Sequence, residues 1–239
     1  MIETFAALLL AHALADFVFQ TARIVANKRR FPVLVLHGAI VLATAQAATG
    51  RIDAWELLAL ALVHMAIDAA KTQLAAPGLP AFLADQGAHL LSLAGLAWLR
   101  PDLVAGGFWG DVPALPALMA YLAGVIVTIR AGGFAVGELM RDYQHASLPE
   151  GLPNGGRMIG LLERAMIFLL VLVGQPAGIG FLIAAKSILR FDTASKNQHA
   201  SEYVIIGTLA SFAWALAGGY ATLWLASALP PIEIAGPAP

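Results

Sequence analysis

Apolar runs of close to twenty residues, separated by short polar breaks, fill this chain from its first residues to Ala228. A helix that crosses a bilayer needs about 20 mainly apolar residues. In hydrocarbon every backbone N–H and C=O must be paired within the segment, so such runs fold as helices. The pattern predicts helices at 3–21, 32–49, 54–74, 82–99, 114–131, 158–173, 176–191 and 202–228. Only Gly174, Gln175 and Pro176 separate the sixth from the seventh, so these two could form one tight hairpin. The expected fold class is an all-α integral membrane protein with about eight transmembrane helices.

Composition agrees. Hydrophobic residues make up 59% of the 239 and charged residues 12%, with a mean hydropathy of +0.77. Soluble domains carry about 45–50% apolar and about 25% charged residues. The net charge of −1 says little about partners, because where the charges lie matters more. There is no cysteine, so disulfides and thiolate ligands are excluded and any metal must be held by His, Asp, Glu or water. The first ten residues include Glu3 and no basic group, so a cleaved signal peptide is not expected.

Eight alternating crossings put the segments at 23–31, 72–81, 131–157 and 191–201 on one side. With the adjoining helix ends, that side holds Arg23, Lys28, Arg29, Arg30, Lys71, Arg130, Arg141, Arg157, Arg164, Lys186, Arg190 and Lys196. Only Arg51 and Arg100 fall on the other. The positive-inside rule makes the rich side cytoplasmic. Both termini then face the periplasm of a bacterial inner membrane. Four regions follow: a four-helix region at 1–100, a fifth helix and cytoplasmic loop at 101–157, three helices at 158–229, and a disordered tail at 230–239. Within the loop at 131–157, Phe134, Leu139 and Met140 alternate with Glu138, Arg141 and Asp142, which suggests a short interfacial helix. Pro149, Pro153, Asn154, Gly155 and Gly156 then break it.

The first 100 residues carry ionisable groups where lipid-compatible residues belong, and they carry them twice. His12 and Asp16 are followed by His37; His64 and Asp68 are followed by His89. The step is 25 residues in each set and the offset between sets is 52. This is the pattern of a tandem parallel repeat of two helical hairpins. His and Asp four residues apart share one helix face. Asp85 and His89 are the same pair in reverse order, on a helix that runs the opposite way. Gln20 extends the face of the first pair, and Lys71 lies one turn beyond Asp68. Ionisable groups inside membrane helices are rare and usually mark pathways, relays or sites. Neutral imidazole and carboxylate suit a divalent transition metal, so His12, Asp16, His37, His64, Asp68 and His89 are candidate ligands for Zn or Mn. Asp85 and Lys71 are candidate catalytic groups. The alternative is a set of hydrogen-bonded His–Asp pairs that locks four helices together.

A second polar set lies in the last three helices. Glu163, Arg164, Lys186, Arg190 and Glu202 are all expected near the cytoplasmic boundary. Arg forks and Lys point charges suit phosphate or carboxylate, which makes this a candidate anion clamp. Snorkelling cations and internal ion pairs are the competing explanation.

The stretch LLLAHALADFVFQTARIVANKR, with LHG at 36–38, HMAIDAAK at 64–71 and FLADQGAHL at 82–90, resembles an uncharacterised family of bacterial inner-membrane proteins, described only as a domain of unknown function. The resemblance covers about the first 100 residues. The run from Gly156 to Phe191 and SEYVIIGTLASF at 201–212 look like the C-terminal extension of its longer members. The resemblance supports the choice of residues and implies no reaction.

Three functions compete. One is a metal-dependent membrane hydrolase or phosphotransferase acting on an anionic, lipid-like substrate at a site open to the cytoplasm. Another is a metal-ion or proton-coupled transporter or channel. The third is a membrane scaffold or sensor. Polar groups clustered toward one face favour the first, since a transporter needs a path to both. Nucleotide-binding loops and nucleophile elbows are absent from the sequence, and its basic residues follow topology, so nucleic acid is not an expected partner. The lipid bilayer is; the number of copies in the assembly is not legible.

Overall fold

The computed structural model describes residues 1–74, 76–143, 152–194 and 198–232, with the side chains of 189–194 outside the description. All regular structure among them is helical: α1 (Ile2–Leu14), α2 (Ala22–Asn27), α3 (Phe31–Thr49), α4 (Trp55–Leu74), α5 (Leu79–Leu99), α6 (Leu115–Ile126), α7 (Gly132–Met140), α8 (Gly155–Leu172), α9 (Ala177–Ala194) and α10 (Gln198–Ser227). Each of the eight expected helices is present, seven of them with ends shifted by a few residues and the fifth running on well past its expected end. Five helical runs are long and apolar enough to cross a membrane: Ile2–Phe19, Phe31–Thr49, Trp55–Leu74, Leu115–Tyr143 and Gln198–Ser227. Helices α5, α8 and α9 fall short of that measure. Each carries polar groups within its apolar run, such as Asp85, Gln86 and His89 in α5 or Arg157, Glu163 and Arg164 in α8.

The expected loop beginning at Ala131 needs correction. The fifth helix continues through a widened π turn, Val127–Ala131, into α7 and a final 3₁₀ turn, Arg141–Tyr143. Gly132, Ala135 and Met140 are buried, so the segment continues a packed helix where a loop was expected. Residues 144–151 and the tail beyond 232 lie outside the described residues.

The chain forms two compact units, Met1–Ile126 with Thr222–Pro239, and Val127–Ala221. In the first, α1 is the central post. It is buried on nearly every side, at Thr4, Ala6, Ala7, Leu8, Leu10, Ala11, His12 and Ala13. Its alanines let neighbouring backbones approach closely, which is how helices associate where lipid removes the hydrophobic drive. Helices α3, α5 and α6 pack around it. Leu8, Leu57, Leu60, Leu93, Leu103 and Met119 fill the half of this unit near residues 1, 50 and 101. That end is closed by the segment 100–114. Thr4 donates to the Pro101 carbonyl at 2.8 Å, and Trp109 donates to the Ala47 carbonyl at 2.8 Å. Gly50 ends α3 with φ +67°, and a Cβ there would run into Phe108 and Trp109. Arg100 pairs with buried Glu56, and Arg51 with Asp53, whose carboxyl the guanidinium holds below its ordinary range. At the opposite end, α2, capped by Thr21, packs against α3, and Arg29 donates to the Thr72 carbonyl at 3.1 Å. Large apolar side chains such as Leu36, Leu62, Leu91 and Trp98 point outward, as a surface in contact with lipid requires.

Candidate metal centre

Helix α1 and its C-terminal turn bring His12 and Asp16. Helix α3 brings His37, α4 brings His64, Asp68 and Lys71, and α5 brings Asp85 and His89. The six expected metal ligands and both candidate catalytic groups therefore meet in one cluster, in the half of the first unit nearer α2. The histidines and aspartates are all buried, His37 and His89 completely. Asp16 sits in a π turn, Ala15–Phe19, that ends the first helix. Such wide turns re-aim side chains and recur at functional sites.

Four atoms form the heart of the cluster. His37 Nε2 and His64 Nε2 approach to 3.1 Å. Asp16 Oδ1 lies 3.2 Å from His37 Nε2 and 3.3 Å from His64 Nε2. Asp68 Oδ2 lies 3.5 Å and 3.4 Å from the same two nitrogens. A tetrahedral zinc ion with bonds of 2.0–2.2 Å sets its ligand atoms about 3.3–3.6 Å apart. Three of the five separations fall within that range, and the other two, 3.1 and 3.2 Å, lie just below it. Hydrogen bonding alone does not account for the knot. Each imidazole has at most one proton for Nε2, yet His37 Nε2 also faces Gln20 at 3.2 Å, while His37 Nδ1 and Asp68 Oδ2 make no hydrogen bond. Buried polar atoms without partners are few in native proteins and call for an explanation. These groups could hold a metal ion: His37, His64 and Asp68 form one suitable trio, His12, Asp16 and His64 a second, and Asp68, Asp85 and His89 a third.

The surrounding groups are fixed. His89 Nδ1 donates to the Asp85 carbonyl at 2.9 Å, which leaves its Nε2 a lone pair with no partner. His12 Nε2 donates to Gln86 Oε1 at 3.1 Å, which leaves Nδ1 in the same state. The His12 ring stacks on His89 at 5.1 Å, and His89 lies 4.1 Å from His64, centroid to centroid. Lys28 Nζ reaches Asp68 Oδ1 at 2.5 Å and Lys71 Nζ reaches Asp85 Oδ2 at 2.6 Å. Asp85 Oδ1 has no hydrogen bond. Three carboxylates against two ammonium groups leave one negative charge while the imidazoles are neutral. Beside the cluster, Lys28, Arg29, Leu34, Ala69, Thr72 and Gln73 line a cavity of about 420 Å³.

Two partners escaped the reading of the sequence. Lys28 looked like one loop cation among several, because nothing local shows that α2 turns it back toward Asp68. Gln86 stands beside Asp85 and three residues before His89, a spacing that could have marked it.

In the second unit, buried Glu163 and Lys186 form an ion pair at 2.7 Å, and buried Arg164 lies beside them in sequence. Glu202 does not join them: it is exposed and accepts from Gln198 Nε2 at 2.9 Å, one helical turn away. The Arg190 side chain lies outside the described residues. No curated protein and no solved structure matches the chain. Residues 4–102, which carry every histidine and aspartate of the cluster, match the family model described as Protein of unknown function (DUF3307).

Proposed function

We propose that the first unit holds one divalent ion, zinc before manganese, and uses it to hydrolyse or transfer a group on an anionic substrate. The spacing of the His37, His64, Asp16 and Asp68 atoms carries this reading, because a compact set of two imidazole nitrogens and two carboxylate oxygens suits zinc better than the all-oxygen octahedral shell that manganese favours. Charge argues for one ion. A single divalent cation turns the cluster from one negative charge to one positive, whereas a second would leave three positive charges in a dry core.

When bound, the ion would supply Lewis-acid activation of water at neutral pH. The chain's own residues divide the remaining work. His37, His64 and Asp16 are the firm ligands. Asp68, held back through Oδ1 by Lys28, is the ligand that can yield its place, since catalytic zinc keeps one position open. Asp85 is the general base: Lys71 fixes one of its oxygens and the other makes no hydrogen bond. His12 and His89 offer lone pairs that accept protons nearby. Lys28 and Arg29 at the adjoining cavity attract the anionic substrate. A transporter is the weaker reading, because the far half of this unit is packed with leucine and methionine and closed by segment 100–114.

Purified full-length protein in mild detergent, stripped of metal and reloaded with zinc, tests the proposal. It should cleave a chromogenic phosphate ester. Asp85→Asn should abolish turnover while zinc content stays near one per chain. Full zinc loading with no turnover on phosphate, acyl or amide esters would leave a structural ion and overturn the catalytic claim.

A further inference from the structure

The second unit contains a buried guanidinium that makes no ion pair with the described residues. Arg164 is only 5% exposed. Its Nε donates to the Ile129 carbonyl at 3.0 Å and its Nη1 to Ser211 Oγ at 3.1 Å. Both partners are neutral, and Nη2 makes no hydrogen bond to the described residues. The adjacent Glu163 is committed to Lys186 at 2.7 Å, and Lys186 also lies 5.6 Å over the Phe212 ring. A charge left unpaired in a low-dielectric setting is expensive, and proteins usually match it with a counter-charge or a ligand.

The surroundings make room for the ligand. Arg164 lines a cavity of about 300 Å³ together with Gly133, Gly160, Gly207, Arg157 and Lys186. A side chain at Gly133 would place its Cβ 3.1 Å from Nη2, and one at Gly160 would place it 3.0 Å from Nη1. Glycine at these positions keeps the forked end of the guanidinium open. Arg157, two turns earlier on α8 and exposed, makes no ion pair with the described residues. Arg157, Arg164 and Lys186 against Glu163 give the lining two net positive charges.

We infer that this cavity binds a phosphate group, with Arg164 as the fork and Arg157 as the cation at the rim. The net charge of the lining fits a phosphate better than a carboxylate, which brings one negative charge at most. Arginine presents donors in the geometry that phosphate oxygens accept. Part of the lining is apolar, at Val136, Met140, Ile159 and Val204, so the lining suits the phosphate of a phospholipid headgroup as well as that of a small soluble molecule. This inference is independent of the metal centre.

Titration calorimetry on full-length protein in a non-ionic detergent separates the sources. One arm uses inorganic phosphate and the other dihexanoyl phosphatidylglycerol. Saturable binding of both assigns a site for the phosphate group itself. Binding of the short-chain lipid alone assigns a headgroup site. In either case Arg164→Lys, which keeps the charge and loses the fork, should weaken binding at least tenfold, and Arg157→Gln should weaken it less. Gly133→Ala, which crowds Nη2 without touching any charge, should also weaken it and serves if Arg164→Lys fails to fold. The inference is overturned if neither probe binds the wild type. It is equally overturned if both Gly133→Ala and whichever arginine variants fold bind as tightly as the wild type.

Discussion

His37 is the residue on which the account turns. Its Nε2 touches a second imidazole and two carboxylates, while its other nitrogen has no partner. His12 and His89 stand one ring further out. His37→Ala and His64→Ala should therefore lose the ion altogether. His12→Ala should keep it with affinity lower by about 10–100-fold, the usual effect of removing a supporting group. Equilibrium dialysis against zinc, read by elemental analysis, distinguishes them; equal losses would place His12 in the same shell as His37 and His64. Lys28 makes a different prediction. Its ammonium offsets the charge of Asp68, which is 1% exposed. Lys28→Met leaves that carboxylate uncompensated and should cost the metal-free protein about 3–5 kcal/mol. Bound zinc should restore most of the loss. Thermal unfolding with and without zinc checks this, and a variant as stable as wild type when stripped would mean that the pair is dispensable.

At the scale of elements, the helices were legible because twenty-residue apolar runs admit one structure in lipid. The His–Asp faces were legible because a spacing of four fixes which side chains share a side. What the sequence concealed depends on breaks in that regularity. The π turn at Ala15–Phe19 departs from the 3.6-residue period that places Asp16 on paper. The π turn at Val127–Ala131 carries a helix through what composition marks as the start of a loop. Glu202 was misplaced because sequence depth alone does not say which way a side chain points. Packing between elements yields its own prediction. A Cβ on Gly124 of α6 would collide with Thr222 of α10, a short branched side chain that cannot swing away. Gly124→Val should lower stability by about 1–3 kcal/mol and leave metal content unchanged. A drop in Tm with undiminished zinc supports this. Loss of zinc in a folded protein would tie α6 to the cluster.

For the whole molecule, the polar cluster and the adjoining cavity lined by Lys28 and Arg29 lie toward one end of the first unit, the end that bears Arg23, Lys28, Arg29 and Arg30. We propose, on the positive-inside rule, that this end is cytoplasmic. A chain without cysteine permits a clean check. Exposed Asp111 and Gln73 lie toward opposite ends of the unit. An impermeant maleimide should label Asp111→Cys in intact cells and Gln73→Cys only after the membrane is opened; the reverse pattern would put the site on the outside. The central claim concerns the ion itself, and X-ray absorption at the zinc edge of zinc-loaded, full-length protein reads it most directly. The account predicts four nitrogen or oxygen neighbours at about 2.0–2.2 Å, no sulfur, and the outer-shell scattering of two imidazole rings, lost in His64→Ala. A folded protein that retains no zinc after loading, or holds it in a water-only shell without imidazole, would contradict it.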